Sequence, residues 1–153
     1  MANDKTTEYN ALDEIFPIKE EVEDFAGNIR AFEIHCEHFP NDTFALDAIE
    51  TGKDCKGYIF RAYSEASPFS ALGELRGKMR RALATRHITG RDGRYSLLHD
   101  TLRGRITCDP EQGLQLIVDG IPLNLYDLEH ILSTHEGWQF RLEVVDPSED
   151  ITR

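Results

Sequence analysis

The sequence predicts an α+β fold, a mainly antiparallel sheet with two amphipathic helices packed on one face. Three observations predict it. Consecutive segments at Ile29–His38, 43–50 and 57–64 alternate apolar and polar side chains with a period of two. Two later segments carry apolar residues at helical spacing, and each is preceded by a capping signal. The order that results, β-β-β-α-β-β-α-β, groups strands in runs joined by short turns, which favours antiparallel pairing.

Residues 1–27 read as an acidic N-terminal tail or short helix. The first 24 residues hold eight acids and two lysines, and Pro17 interrupts the apolar set Leu12, Ile15, Phe16, Val22 and Phe25. Gly27-Asn28 is a turn signal. In the first strand Phe32, Ile34 and Cys36 share a face opposite Glu33, His35 and Glu37. Phe39-Pro40-Asn41-Asp42 turns the chain. Phe44, Leu46 and Ala48 then alternate with Ala45, Asp47 and Ile49, and a loop around Gly52 leads to Tyr58, Phe60 and Ala62.

Ser67 caps the first helix and Pro68, which needs no amide donor there, begins it. Phe69, Leu72, Leu75, Met79, Ala82 and Leu83 fall within an arc of about 140°. Glu74 and Lys78 are spaced for an ion pair. Gly73 and Gly77 are expected to let the helix lie close to another element. Residues 89–94 read as a loop, 101–109 as a strand broken at Gly104, and 114–118 as a buried strand ended by an Asp119-Gly120 hairpin turn. Asn124 and Asp127 form a capping-box pair for a second helix, whose apolar face is Leu125, Leu128, Ile131 and Leu132. Gly137 is the left-handed stop. Residues 138–146 alternate Trp138, Phe140, Leu142 and Val144 against Gln139, Arg141 and Glu143, a last strand. The expected organisation is one domain over residues 28–147 and a short tail over 148–153.

The chain has 153 residues with 28 acids against 17 basic side chains, a formal charge of −11. Residues 76–105 run the other way, with nine basic side chains against two acidic ones. A globally acidic chain repels polyanions, so nucleic acid is disfavoured as a partner. The basic segment is expected to pair with the acidic remainder, within the chain or across a dimer. No apolar run approaches the ~18–20 residues of a bilayer span, and residues 1–8 lack the pattern of a secretory leader. Three cysteines, an odd number without tight pairing, fit reduced thiols in a cytoplasm.

Candidate chemistry is thin. His35, Cys36, His38 and Cys55 lack the close pairs of a structural zinc site, so surface histidines and thiols are preferred over metal. Cys108 with His99, or Ser96 with His99, has no flanking sequence of mechanical meaning. No GxGxxG or GxxxxGK[ST] is present. His135 falls on the apolar side of the second helix, where a core histidine bonded to a carbonyl is preferred over a general base beside Glu136. Arg76 and Arg86 lie near the first helix's apolar stripe, and snorkelling is preferred over buried pairs with Glu33, Glu50 or Glu143. Arg91 and Arg94 in the glycine loop, with Arg86 and His87, are the candidate anion-binding residues. No catalytic residue, metal or cofactor is expected.

Val118-Asp119-Gly120, the capped helix, and Glu136-Gly137-Trp138-Gln139-Phe140-Arg141-Leu142-Glu143 resemble the ending of a bacterial family of uncharacterised domains, as does Gly57-Tyr58-Ile59-Phe60 before a basic helix. The resemblance spans residues 29–146. It implies no activity, and the ending has a structural account in which Trp138 and Phe140 anchor the last strand in the core. The expected function is a small, non-catalytic, cytoplasmic interaction or regulatory protein with an acidic surface, partnered by another protein or a second copy. An immunity- or inhibitor-like protein masking a basic partner is one version. The alternative is an anion-binding domain or enzyme using residues 76–105, with His135 or Glu136 nearby. RNA contact through the same segment is a third reading.

Overall fold

The alternation of residues 29–64 becomes the centre of a four-stranded antiparallel sheet. The computed structural model describes residues 11–54 and 56–152. A helical turn, α1 (residues 11–15), precedes β1 (Ile18–Glu23), β2 (Ile29–His38), β3 (Phe44–Glu50) and β4 (Ile59–Ser64), which pair in sequence order. Helix α2 (Pro68–Ala84) covers this sheet. A two-stranded hairpin, β5 (Ile88–Arg91) and β6 (Arg94–Leu97), and a three-stranded sheet, β7 (Arg105–Asp109), β8 (Gly113–Val118) and β9 (Ile121–Asn124), follow. Helix α3 (Leu125–Ser133) comes last. The α+β class is as the sequence predicts. The sheet is divided into three, and each helix serves its own part. The expected tail at residues 1–10 and Cys55 lie outside the described residues.

Two apolar clusters result. In the first, Phe32 and Ile34 of β2, Leu46 and Ala48 of β3 and Ala62 of β4 pack against Ala71, Leu72, Leu75, Met79 and Leu83 of α2. Facing residues are register partners, such as Ile34 with Ala48 and Leu46 with Ala62, so one face of the sheet is buried continuously. The second cluster is smaller: Ile88, Val118, Leu123 and Ile131.

Strand β1 was not foreseen. Ile18 and Val22 face the core as a strand should, but Glu20 stands between them and breaks the apolar pattern. Arg76 of α2 neutralises it, with Nε donating to Glu20 Oε1 at 2.6 Å. Arg76 thus pairs with a sheet carboxylate other than those expected, while part of its side chain remains in solvent.

The N-cap of α2 forms as expected, Ser70 N donating to Ser67 Oγ at 3.1 Å. The buried stripe is rotated from the expected one: Phe69 is exposed, whereas Ala71 and Lys78 are buried. Lys78 does not pair with Glu74. Its Nζ donates to the carbonyls of Arg61, at 2.7 Å, and Ser148, so the ammonium is buried against carbonyl oxygens. Gly73 faces open space and Gly77 meets only the side chain of Arg81, so neither glycine serves a close helix approach.

The expected loop at residues 89–94 is a tight hairpin. Asp92 and Gly93, at φ 55° and 77°, form its two-residue turn. Residues 119–120 repeat the geometry at φ 54° and 74°, joining β8 to β9, a strand the sequence reading missed. The capping box of α3 is present, Asp127 N donating to Asn124 Oδ1 at 2.8 Å and Asn124 N to Asp127 Oδ2 at 3.1 Å. Of the apolar face assigned to α3, Ile131 is buried, Leu128 is half-buried, and Leu125 and Leu132 are exposed.

The largest departure is at the C-terminus. Residues 138–146 form no strand pair among the described residues. After α3 a turn ends at Gly137, φ 88°, and the chain runs without regular secondary structure to a second turn at residues 147–149. Trp138 and Phe140 therefore do not anchor a core strand.

Candidate interaction surface

The two clusters meet at a polar junction built around the β8–β9 turn. Asp119 has a left-handed backbone, which directs its carboxylate back at the start of β5. Oδ2 accepts from His87 N at 2.8 Å and Ile88 N at 2.9 Å, and His87 Nδ1 donates to Oδ1 at 2.8 Å. Burial alone would raise the Asp119 pKa. The His87 ring and the two amides outweigh it and hold the carboxyl below its ordinary value. Gly120 lies against the Tyr58 ring, where a Cβ would come within 2.8 Å of Cε2. Beside Tyr58, Arg30 bridges Asp24 (Nε to Oδ2, 3.0 Å) and Glu50 (Nη1 to Oε2, 3.1 Å). Desolvation pushes the Tyr58 hydroxyl well above the ordinary phenol value. Lys56–Asp109 at 2.7 Å and Arg105 Nη2 donating to Gly57 O at 2.9 Å add further ties across the junction.

An Asp–His pair can orient a general base, and sequence reasoning had not joined Asp119 to His87. Here the ring is nearly buried, and its Nε2, like the Tyr58 hydroxyl, has no hydrogen-bond partner among the described residues. Two open depressions lie elsewhere, one at Phe39, Pro40, Asn41, Thr43 and Tyr63, the other at Gly90, Arg91, Asp92 and Arg94, and neither is lined by His87 or Tyr58. The arrangement ties the β8–β9 turn to the start of β5 within the second cluster and seats Gly120 against Tyr58, which packs on the first.

The four candidate anion residues are placed in two groups. Arg91 and Arg94 oppose each other across the β5–β6 hairpin, both exposed, with Asp92 at the tip. His87 is engaged by Asp119 at the opposite end of β5. Arg86 donates from Nε to Ile88 O at 2.9 Å, and its guanidinium lies 5.6 Å from the centre of the Phe25 ring. Other basic residues of 76–105 are drawn to acids, Arg76 to Glu20 and Arg81 to Asp150.

His135 is not a core histidine. It is half-buried, 3.1 Å from the Thr134 hydroxyl through Nδ1, and its ring meets the Trp138 ring edge-on at 5.0 Å. Of the residues considered for zinc, His35 is 3.3 Å from Glu33, and His38 stacks on Phe44 at 4.3 Å. No group of metal-ligating side chains converges among the described residues.

What the chain leaves open is the irregular segment of residues 138–145. It is anchored at both ends. The turn after α3 holds one, Trp138 N donating to His135 O at 2.9 Å. The other is tied to α2, where Lys78 reaches Ser148 O and Arg81 reaches both Asp150 and the Thr152 hydroxyl, the latter at 3.0 Å. Between the anchors this strap leaves Trp138 69%, Phe140 90%, Leu142 81% and Val144 69% exposed. Gln139, Arg141 and Glu143, which alternate with them in sequence, are exposed as well. These four side chains are the apolar surface that this part of the chain leaves in solvent. The strand predicted from this alternation does not form among the described residues.

Among the described residues, no helix is long and apolar enough to cross a membrane. Neither a curated protein nor a solved structure matches the chain. Two family models do, and they meet at Thr85, the C-cap of α2. Residues 14–84 match Domain of unknown function (DUF7686), and residues 86–149, the strap included, match Domain of unknown function (DUF7713).

Proposed function

We propose that the chain is a small cytoplasmic interaction protein whose strap, residues 138–145, docks a protein partner. One observation carries the reading: a segment with strand alternation, fixed at both ends, leaves four large apolar side chains in water. Exposing them costs free energy that covering them returns, at about 25 cal/mol per Å² of apolar area. A photo-crosslinking phenylalanine analogue at position 140 tests the proposal in living cells. A discrete adduct, identified by mass spectrometry and absent when the probe sits at the exposed Glu37 of β2, is expected. No adduct from positions 138, 140 or 142 overturns it.

A second reading, a small anion bound at the hairpin tip, is favoured by the opposition of Arg91 and Arg94. Calorimetric titration with inorganic phosphate tests it, and the double variant R91A/R94A should abolish any heat of binding.

A further inference from the structure

We infer that the partner of the strap is a second copy of this chain, the two straps pairing antiparallel about a twofold axis at Leu142. This rests on the strap being an interaction surface and names its occupant. A self-paired antiparallel strand has few registers that keep apolar residues on one face. Centred on Arg141, the register sets two guanidinium groups directly opposite. Centred on Phe140, it leaves Arg141 against Gln139 and Glu143 unmatched. Centred on Leu142, it sets Arg141 of each strand opposite Glu143 of the other. Leu142 then meets Leu142, and Phe140 meets Val144. Opposite charges directly across an antiparallel pair stabilise it, and like charges destabilise it. The alternation and the charge order thus agree on one register.

The area is sufficient. With aromatic side chains burying 150–250 Å² each, the four exposed apolar residues offer roughly 500 Å² per copy, about 1,000 Å² in the pair. That reaches the roughly 1,000 Å² a biological interface should clear, at the weak and reversible end of the scale. The ribbon's apolar face closes on the exposed Leu125, Tyr126 and Leu132 of the two α3 helices, which lie directly upstream of the straps. Trp138 is the single tryptophan of the chain and reports on the event.

Sedimentation equilibrium of the full chain over a concentration series tests the assignment, with Trp138 emission read in parallel. A dimer whose formation shifts Trp138 emission to the blue is expected. R141E alone and E143R alone should each weaken it by about tenfold or more, since two contacts per dimer become repulsive. The double variant R141E/E143R should recover it, and so should an equimolar mixture of the two single variants, as heterodimer. Circular dichroism confirms that these exposed substitutions leave the fold intact. A chain monomeric at all concentrations, or a dimer indifferent to the charge exchange, overturns the inference. If the chain is monomeric yet position 140 crosslinks to a different protein, the interaction reading stands and the second copy is excluded. If it is monomeric and position 140 yields no adduct, both fall.

Discussion

Asp119 satisfies two backbone amides and one imidazole with a single carboxylate, so its substitution should be felt beyond its own turn. Asn tolerates the left-handed backbone at this position and nearly preserves the shape. D119N therefore isolates the charge, and an expected loss of about 1.5–3 kcal/mol, typical of a hydrogen bond to a charged group, is measurable by denaturant titration. The sign of the pH dependence follows from the lowered pKa. In the folded chain the carboxyl stays ionised to lower pH than in the unfolded one, so its stabilisation is complete above the ordinary carboxylate value. It is lost as pH falls through the folded value. The stability gap between the native chain and D119N should thus be constant near neutrality and shrink below about pH 4. At the neighbouring position, Gly120→Ala meets both a left-handed backbone and the Tyr58 ring. A loss of at least about 1–2 kcal/mol, seen as a lower Tm, is expected from the backbone alone.

At the scale of elements, α2 offers a contrast between burial and charge. Leu75→Ala removes a fully buried side chain and should cost about 2–5 kcal/mol. Arg76→Met breaks the half-exposed pair with Glu20 and should cost less than about 1 kcal/mol by the same denaturant titration. Strands β2 to β4 and both capped helices were legible because their signals are local: alternation, a Ser-Pro start, and an Asn with an Asp three residues on. Strand β1 was not, because Glu20 in an inward position makes sense only once Arg76 is beside it. Strand β9 is four residues long and includes Pro122, too little pattern to read. In α2 the stripe was misplaced because Lys78 counts as polar in sequence, although its ammonium is buried against two carbonyl oxygens. The Asp119–His87 pair joins positions 32 residues apart, and only the hint of a left-handed Asp-Gly turn marked one of them. The strap shows the converse. Its alternation is strong in the sequence, yet no strand forms there among the described residues, because alternation supplies a candidate edge and not the neighbour it must pair with.

Across the whole molecule, two apolar clusters are joined by a polar junction and spanned by a strap that belongs to neither. The junction accounts for part of the basic segment, since Arg86 and Arg105 are used there, while Arg76 and Arg81 hold acids against α2. The strap's exposed row differs from the core in a testable way. F140S should leave the unfolding free energy of a dilute sample within about 0.5 kcal/mol of the native value, the range of surface substitutions, where Ile131→Ala should lower it strongly. Hydrogen exchange at the amides of residues 139–145 tests the central claim most directly. At dilutions where the chain is alone, those amides should exchange at the rate of an unstructured peptide, while those of β2 and β3 stay protected. On association with a partner, or with a second copy at high concentration, they should become protected together. Protection that is already strong in the isolated chain, and that does not change with concentration or partner, would mean the strap is part of the chain's own core and would contradict the account.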